Sequence, residues 1–302
     1  MDKDLNILIT GGTGFIGSFL CDRLARDGHF LTLISRSPEK YTEESAKNQS
    51  YISWDSDLSK AMDKADVVIN LVGENLFGKR WTEEVKKRLY SSRIDLTNKL
   101  VDAMRESSTP PDLMISASGI NYYGDSGDEV LTEEHGPGDD FLANLCVDWE
   151  AAAMKAHDLG VRVAIPRIAP VLEDDDGIID KMKLPFSLFV GGSLGSGDQY
   201  LSWIHMYDMV SAITAPIENA EISGPYNAAS PNPVQMDEFA STMGRVMNRP
   251  SLFRVPEFVL NTVLGEAATP VLASLRIQPK VLQKAGFEFH FADLEVALGD
   301  IL

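Results

Sequence analysis

The sequence predicts a doubly wound α/β fold, a parallel sheet with helices on both faces, followed by a smaller C-terminal α/β lobe. Three observations predict it. Over the first 166 residues, short apolar runs alternate with amphipathic stretches, the pattern of parallel strands joined by crossover helices. The first apolar run ends in a glycine-rich turn, Thr10 to Gly17, that opens a helical pattern. After Arg167 the alternation stops, and acidic, glycine-rich and Pro-punctuated segments take over.

The elements follow in order. Strands are expected at 5–10, 30–35, 51–54, 66–72, 112–118 and 161–166, and helices at 14–27, 58–63, 82–106 and 140–159. Leu5-Asn6-Ile7-Leu8-Ile9 is apolar enough for a strand buried on both faces. Phe15, Ile16, Phe19, Leu20 and Leu24 recur at helical spacing. Glu39–Ser50 is the most polar stretch and is expected to be a mobile loop. Residues 203–219 read as a strand end and a helix. Met182, Phe186, Phe253 and Phe258 are expected to fill the core of the small lobe.

The turn specifies a ligand. Gly11, Gly14 and Gly17 stand at three-residue spacing between a strand and a helix. Gly11 permits the turn, Gly14 lets backbone approach a ligand, and Gly17 lets helix and strand pack closely. The backbone at Thr13, Phe15 and Ile16 completes a helix N-terminus suited to a dinucleotide pyrophosphate. The second strand ends in Ser35-Arg36-Ser37, with no acid before Glu39. An acid there would favour a free ribose 2′-OH. Arg36 offers a charged donor fork for a 2′-phosphate instead. The expected cofactor is therefore NADP(H). The expected organisation is an NADP-binding Rossmann domain, 1–168, to which 203–228 return, and a small substrate-binding lobe, 169–202 and 229–302.

The chain has 302 residues, a net charge of −18 and 44% hydrophobic residues. Such acidity argues against nucleic acid or an anionic membrane as partner. No apolar run reaches transmembrane length, and the polar start reads as no signal peptide. The two cysteines, Cys21 and Cys146, make no disulfide framework or metal spacing, so a reducing cytoplasm is expected. The five histidines are scattered, and Asp174-Asp175-Asp176 lacks the alternation of a calcium loop, so no metal is expected. Monomer and homodimer both stay open.

Several motifs together resemble the extended short-chain dehydrogenase/reductase superfamily. They are Thr10 to Gly17, Ser116-Ala117-Ser118 before Tyr122-Tyr123-Gly124, and Trp203-Ile204-His205-Met206-Tyr207-Asp208. Asn70-Leu71-Val72-Gly73-Glu74-Asn75, Arg80-Trp81-Thr82-Glu83-Glu84, Gly138 to Ala143 and Cys146-Val147-Asp148-Trp149-Glu150 resemble its atypical, epimerase-like subgroup. That subgroup is labelled as sugar-nucleotide epimerases or cell-division inhibitors. The resemblance implies that Leu71, Val72, Gly73, Glu74, Ser116, Ala117, Pro166 and Arg167 border the cofactor. Arg93, beside Ser92 on the helix expected over 82–106, is placed to reach a cofactor or substrate phosphate or to form an i,i+4 surface pair. The resemblance also implies a catalytic serine at Ser118 and a Tyr-x-x-x-Lys pair on the next helix, the Tyr as acid/base. Leu142 and Cys146 stand at those two places, and the chain has no Tyr-x-x-x-Lys at all.

Three readings follow. Another residue supplies the proton, with Tyr122 and Tyr123 first and Glu74, Asp140 and Asp148 behind them. Alternatively, the protein binds NADP(H) without reducing a carbonyl. In the third, the helix itself is placed differently from the family spacing. Lys79 and Arg80 form a basic cluster near the cleft, His205 reads as a buried hydrogen-bonder, and Asp208 as a helix cap or first-turn acid. The leading expectation is an NADP(H)-dependent oxidoreductase or epimerase-like enzyme acting on a small polar substrate, with a nucleotide sugar as candidate and Ser118 orienting its oxygen. The rival is a non-catalytic NADP(H)-binding redox sensor or regulator.

Overall fold

The structure, a computed structural model, describes residues 4–41, 48–76, 79–174 and 176–302. Seven parallel strands carry it: β1 (Asn6–Thr10), β2 (Phe30–Ser35), β3 (Gln49–Ser53), β4 (Val67–Asn70), β5 (Leu113–Ser116), β6 (Arg162–Ile168) and β7 (Gly224–Ala228). Their order in space is β7-β6-β5-β4-β1-β2-β3. Ser118-Gly119 adds a short eighth strand, with Ser118 opposite Arg167. The order reverses between β1 and β4, where Ile7 faces Val67 and Thr10 faces Asn70. A crevice opens over the carboxyl ends of strands at such a reversal. The doubly wound sheet expected from the sequence is the observed architecture.

The helices that matter here are α1 (Phe15–Arg26), α2 (Leu58–Met62), α3 (Glu83–Ser91), α4 (Ile94–Glu106), α5 (Phe141–Met154), α6 (Gly177–Ser187), α7 (Met206–Glu218) and α8 (Met236–Met247). Alternate residues of β1 feed two cores. Ile7 and Ile9 pack with Leu20 and Leu24 of α1 and with Met209 and Ile213 of α7. Leu8 packs with Met62 of α2, Leu100 and Met104 of α4, and Ala153 of α5. Burial on both faces is why these strands read as unbroken apolar runs.

Several boundaries differ from expectation. The helix expected over 82–106 is two helices, broken at Ser92-Arg93, where Arg93 is the N-cap of α4. Apolar burial runs through the break, from Val85 and Leu89 to Ile94 and Leu100, so periodicity alone carried no sign of it. The helix expected over 140–159 ends at Met154, and a 3-10 turn, His157–Leu159, follows. Within Glu39–Ser50, a 3-10 turn covers Pro38–Lys40 and β3 begins at Gln49, while residues 42–47 lie outside the described residues.

The C-terminal elements build a separate apolar cluster from Met182 and Phe186 of α6, Trp203, Phe239 and Met243 of α8, and Leu294 and Leu298 of the terminal helix Leu294–Ile301. Phe253 and Phe258 are not in it; both are exposed. No helix among the described residues is long and apolar enough to cross a membrane.

The motif at 203–208 fastens this cluster to the sheet. His205 caps α7, its Nδ1 accepting the Tyr207 N–H at 3.1 Å. Asp208, 1% exposed in the first turn, accepts the His290 and Phe291 N–H groups at 2.9 and 2.8 Å. Asp208→Ala strands both donors in the interior, at a cost of roughly 2–4 kcal/mol. Denaturant unfolding should show that loss, whereas Asp293→Ala at the exposed cap of the terminal helix should cost about 1 kcal/mol.

Candidate functional site

The glycine turn occupies the reversal point. Gly11 has φ +72°, and a Cβ on it would lie 2.7 Å from the Leu71 carbonyl oxygen. A Cβ on Gly17 would lie 2.1 Å from the Gly11 oxygen. Neither position admits another residue without moving backbone. Gly14 is the extended N-cap of α1 and has no side chain to satisfy the first-turn N–H groups. Those donors, at the positive end of a 12-residue helix, lie open beside exposed Thr13 and half-buried Phe15 and Ile16. At the end of β2, the Ser35 hydroxyl accepts the Ser37 N–H at 3.1 Å, turning the chain and leaving Arg36 exposed.

Beneath the crevice, Asn70 joins three strands to two helices. Its Oδ1 accepts from the Thr10 hydroxyl at 2.7 Å, and its Nδ2 donates to the Ser116 and Thr97 hydroxyls at 3.0 and 2.9 Å. The Trp149 indole of α5 donates to the same Thr97 oxygen at 3.1 Å. All four polar side chains are fully buried. Ser116 is thus floor rather than wall, and Ala117 is 5% exposed, packed with Trp81 and Leu142.

The three expected catalytic residues meet one buried ion pair. Glu150 of α5 faces Arg167 of β6, Oε1 to Nε at 2.8 Å and Oε2 to Nη2 at 2.9 Å. The Ser118 hydroxyl donates to Glu150 Oε1 at 2.7 Å. Arg167 Nη1 donates to the Tyr123 hydroxyl at 2.9 Å, which donates on to Asn227 at 2.7 Å. Burial works against the Arg167 charge, but the bonds and charge of Glu150 outweigh it and hold its pKa above the usual range. Burial pushes the Tyr123 phenol up to about 12. Tyr122 lies flat over Arg167, 3.4 Å from ring centre to guanidinium carbon. Its hydroxyl has no hydrogen-bond partner among the described residues.

The model of the NAD dependent epimerase/dehydratase family matches residues 7–229. The chain belongs to that family. A domain of unknown function, DUF1731, matches residues 255–301. The epimerase family protein YfhF of Bacillus subtilis is 38% identical over 302 residues, covering 99% of this chain and 98% of its own. The human epimerase family protein SDR39U1 (isoform 2), solved with NADPH, superposes with a TM-score of 0.88 at 31% identity, covering 98% of this chain and 99% of that one. A nucleoside-diphosphate sugar epimerase from Corynebacterium glutamicum gives a TM-score of 0.77 at 33% identity, covering 99% of this chain and 58% of that one.

Within this epimerase/dehydratase chain, Leu142 and Cys146 lie on the buried side of α5. Leu142 is 3% exposed and packs with Trp81, Ala117 and Leu145. Burial, then the Glu150 charge, pushes the Cys146 thiol up to about 11. Of the other acids considered, Glu74 pairs with Arg88 at 3.3 Å and Asp140 caps α5 through the Ala143 N–H at 2.8 Å. Pro166 is buried inside β6 opposite Tyr226. Lys79 and Arg80 are exposed.

Glu150 and Asn227 are the site residues that sequence reasoning did not single out. The signal for Glu150 was available: it is an acid on the buried stripe of a helix, two turns after Leu142. Glu150→Ala leaves Arg167 buried without its carboxylate and should cost roughly 3–5 kcal/mol in denaturant unfolding. The double variant Glu150→Leu/Arg167→Met should recover most of that loss. Equal losses in the two proteins would mean that the pair is not what holds α5 on β6.

Proposed function

We propose that this chain binds NADP(H) across the β1/β4 crevice and reports or presents the cofactor, without the Ser-Tyr-Lys proton relay of its superfamily. The residues present fit the group. The Gly11–Gly17 cradle would be filled by any Cβ, and the uncapped α1 N-terminus suits the pyrophosphate. Exposed Arg36, with Ser35 and Ser37, suits the 2′-phosphate. Leu71, Val72, Gly73 and Glu74 would border the nicotinamide half, with Ser116–Ser118 and Pro166-Arg167 behind it. NADPH in the solved human relative supports the same reading.

When bound, the nicotinamide supplies a hydride donor or acceptor. A carbonyl or alcohol reacting there also needs a proton moved at its oxygen. The observation that carries the proposal is the state of the groups at that place. Leu142 has no proton, and the Cys146 thiol is neutral at physiological pH. The Ser118 hydroxyl is spent on Glu150, and the Tyr123 hydroxyl lies between Arg167 and Asn227.

One observation favours a second reading, an oxidoreductase or epimerase working on a small polar substrate such as a nucleotide sugar. The Tyr122 ring rests on the Arg167 cation, and its hydroxyl has no hydrogen-bond partner among the described residues, which leaves it available to a substrate oxygen. The sugar nucleotide named for the Corynebacterium relative supports that substrate class.

NADPH and NADH titrations test the cofactor. Arg36→Ala should weaken NADPH about ten-fold, the worth of one charge-assisted contact, and leave NADH within about two-fold. Equal NADPH and NADH affinity in the unsubstituted protein would remove the 2′-phosphate site. Incubation with NADPH and a panel of carbonyl compounds and nucleotide sugars separates the two readings. Binding without turnover is expected; oxidation abolished by Tyr122→Phe would establish the enzyme.

A further inference from the structure

The outer side of α6 is apolar and uncovered. Ile179, Met182 and Phe186 turn into the core of the small lobe. Leu184 and Leu188, one turn apart, take the opposite side of the helix and its C-cap, 65% and 63% exposed. A helix that is apolar on both sides is ordinarily buried on both. The chain continues through exposed Phe189 and Val190. Their N–H groups donate back to the Phe186 and Pro185 carbonyls at 2.9 and 3.0 Å, which holds them against the last turn. Leu252 and Phe253 run alongside. Gly192–Leu194 and Phe253–Val255 form a parallel ribbon with Gly192 opposite Phe253, and the Phe253 N–H donates to the Gly191 carbonyl at 3.3 Å. Leu252 is 84% exposed.

Three features separate this patch from scattered surface leucines. Its six side chains leave roughly 700 Å² uncovered, above the roughly 300–600 Å² of the largest patch on an ordinary monomer and near the roughly 800 Å² that one partner brings to a stable complex. Phe189 stands at φ +63°, a left-handed conformation that is an outlier for a bulky residue. Burial does not offset that strain: Arg249 stacks on the ring, its guanidinium carbon 4.7 Å from the ring centre, and the residue stays exposed. Such outliers cluster at sites of binding. The charges next to the patch in sequence are also matched, Lys183 with Asp174 and Arg254 with Asp237. At a net charge of −18, two copies of the chain repel over most of their surface, and repulsion is least at a neutral apolar face. The same net charge disfavours an anionic membrane as the occupant.

We infer that this face is a contact between two copies of the chain. Leu184, Leu188, Phe189, Val190, Leu252 and Phe253 of one copy meet the same side chains of the other about a two-fold axis. The contact lies on the small lobe and stands independently of the NADP(H) reading.

Sedimentation velocity over a concentration series tests the contact. Twice the chain mass is expected at micromolar concentration and above, with dissociation on dilution. Added salt should tighten the dimer, because it screens the net charge and leaves the apolar contact intact. Leu188→Glu and Leu252→Glu should each weaken association about ten-fold or more, since each places a charge in an apolar contact. Both side chains face solvent, so circular dichroism of the variants should match that of the unsubstituted chain. Phe189→Gly should also weaken association while raising the unfolding midpoint of the dilute monomer, because glycine takes a positive φ without strain. Hydroxyl-radical labelling of Phe189 and Phe253 should fall as concentration rises; it needs no variant and decides the matter if the variants do not fold. A chain that stays monomeric at every concentration, or a dimer unchanged by the substitutions, overturns the contact. A monomer that floats with phosphatidylcholine vesicles overturns it too and gives the face to a lipid surface.

Discussion

Everything at the carboxyl edge depends on one buried amide. Asn70 ends β4 at the reversal point and spends its amide group on Thr10 of β1, Ser116 of β5 and Thr97 of α4. Without it, Thr10 and Ser116 at two strand ends would carry hydroxyls into a dry interior with this partner gone, each at a cost of about 1–3 kcal/mol. With it, the ends of β1, β4 and β5 are level and the next residues must leave the sheet. Those residues are Gly11, Leu71 and Ala117, the lining of the crevice. The close approach of Gly11 to the Leu71 carbonyl follows from that registry.

A second polar system, one strand further along, decides what the crevice can do. The chain Ser118–Glu150–Arg167–Tyr123–Asn227 is continuous. The Asn227 N–H then reaches Glu133, whose Oε1 also accepts from the Val281 N–H. It locks α5, β6, β7 and the C-terminal segment into one unit. Such a connected network is rigid, although Glu133 Oε2 has no hydrogen-bond partner among the described residues and Ser118 spends only its proton on Glu150. Ser118 and Tyr123, which resemble a catalytic serine and its aromatic neighbour, are held in this network, and Tyr122 stacks on it.

Much of the fold was legible because hydrophobic period and glycine geometry are local. The apolar run before Gly11 and the helical spacing after it carried the first βαβ unit, and Ser35-Arg36-Ser37 needed only its place after β2. What was not legible depends on which way side chains turn. The break at Ser92-Arg93 leaves the apolar stripe intact on both sides, so 82–106 reads as one helix. Arg93 reads as within reach of a phosphate or as an i,i+4 surface partner, and its burial shows only once that break is known. Ser118 reads as a free hydroxyl until Glu150 of α5 is found facing it. Phe253 and Phe258 read as core by their type alone, and apolar type predicts burial only one way.

The loss of the Tyr-x-x-x-Lys pair is therefore not a gap in an otherwise intact site. A lysine at 146 would put an ammonium beside the Arg93 guanidinium, two buried like charges in one wall. Its natural counter-ion, Glu150, is already closed on Arg167 with both oxygens. A tyrosine at 142 would add bulk and a hydroxyl to a cluster of Trp81, Ala117 and Leu145, where overpacking and an unpaired hydroxyl both cost. Leu142, Cys146, Glu150, Arg167 and Arg93 are mutually consistent only as a set. The buried cation beside α5 stands here on the α3–α4 break, where Arg93 bonds the Leu89 and Glu74 carbonyls and packs on Trp149.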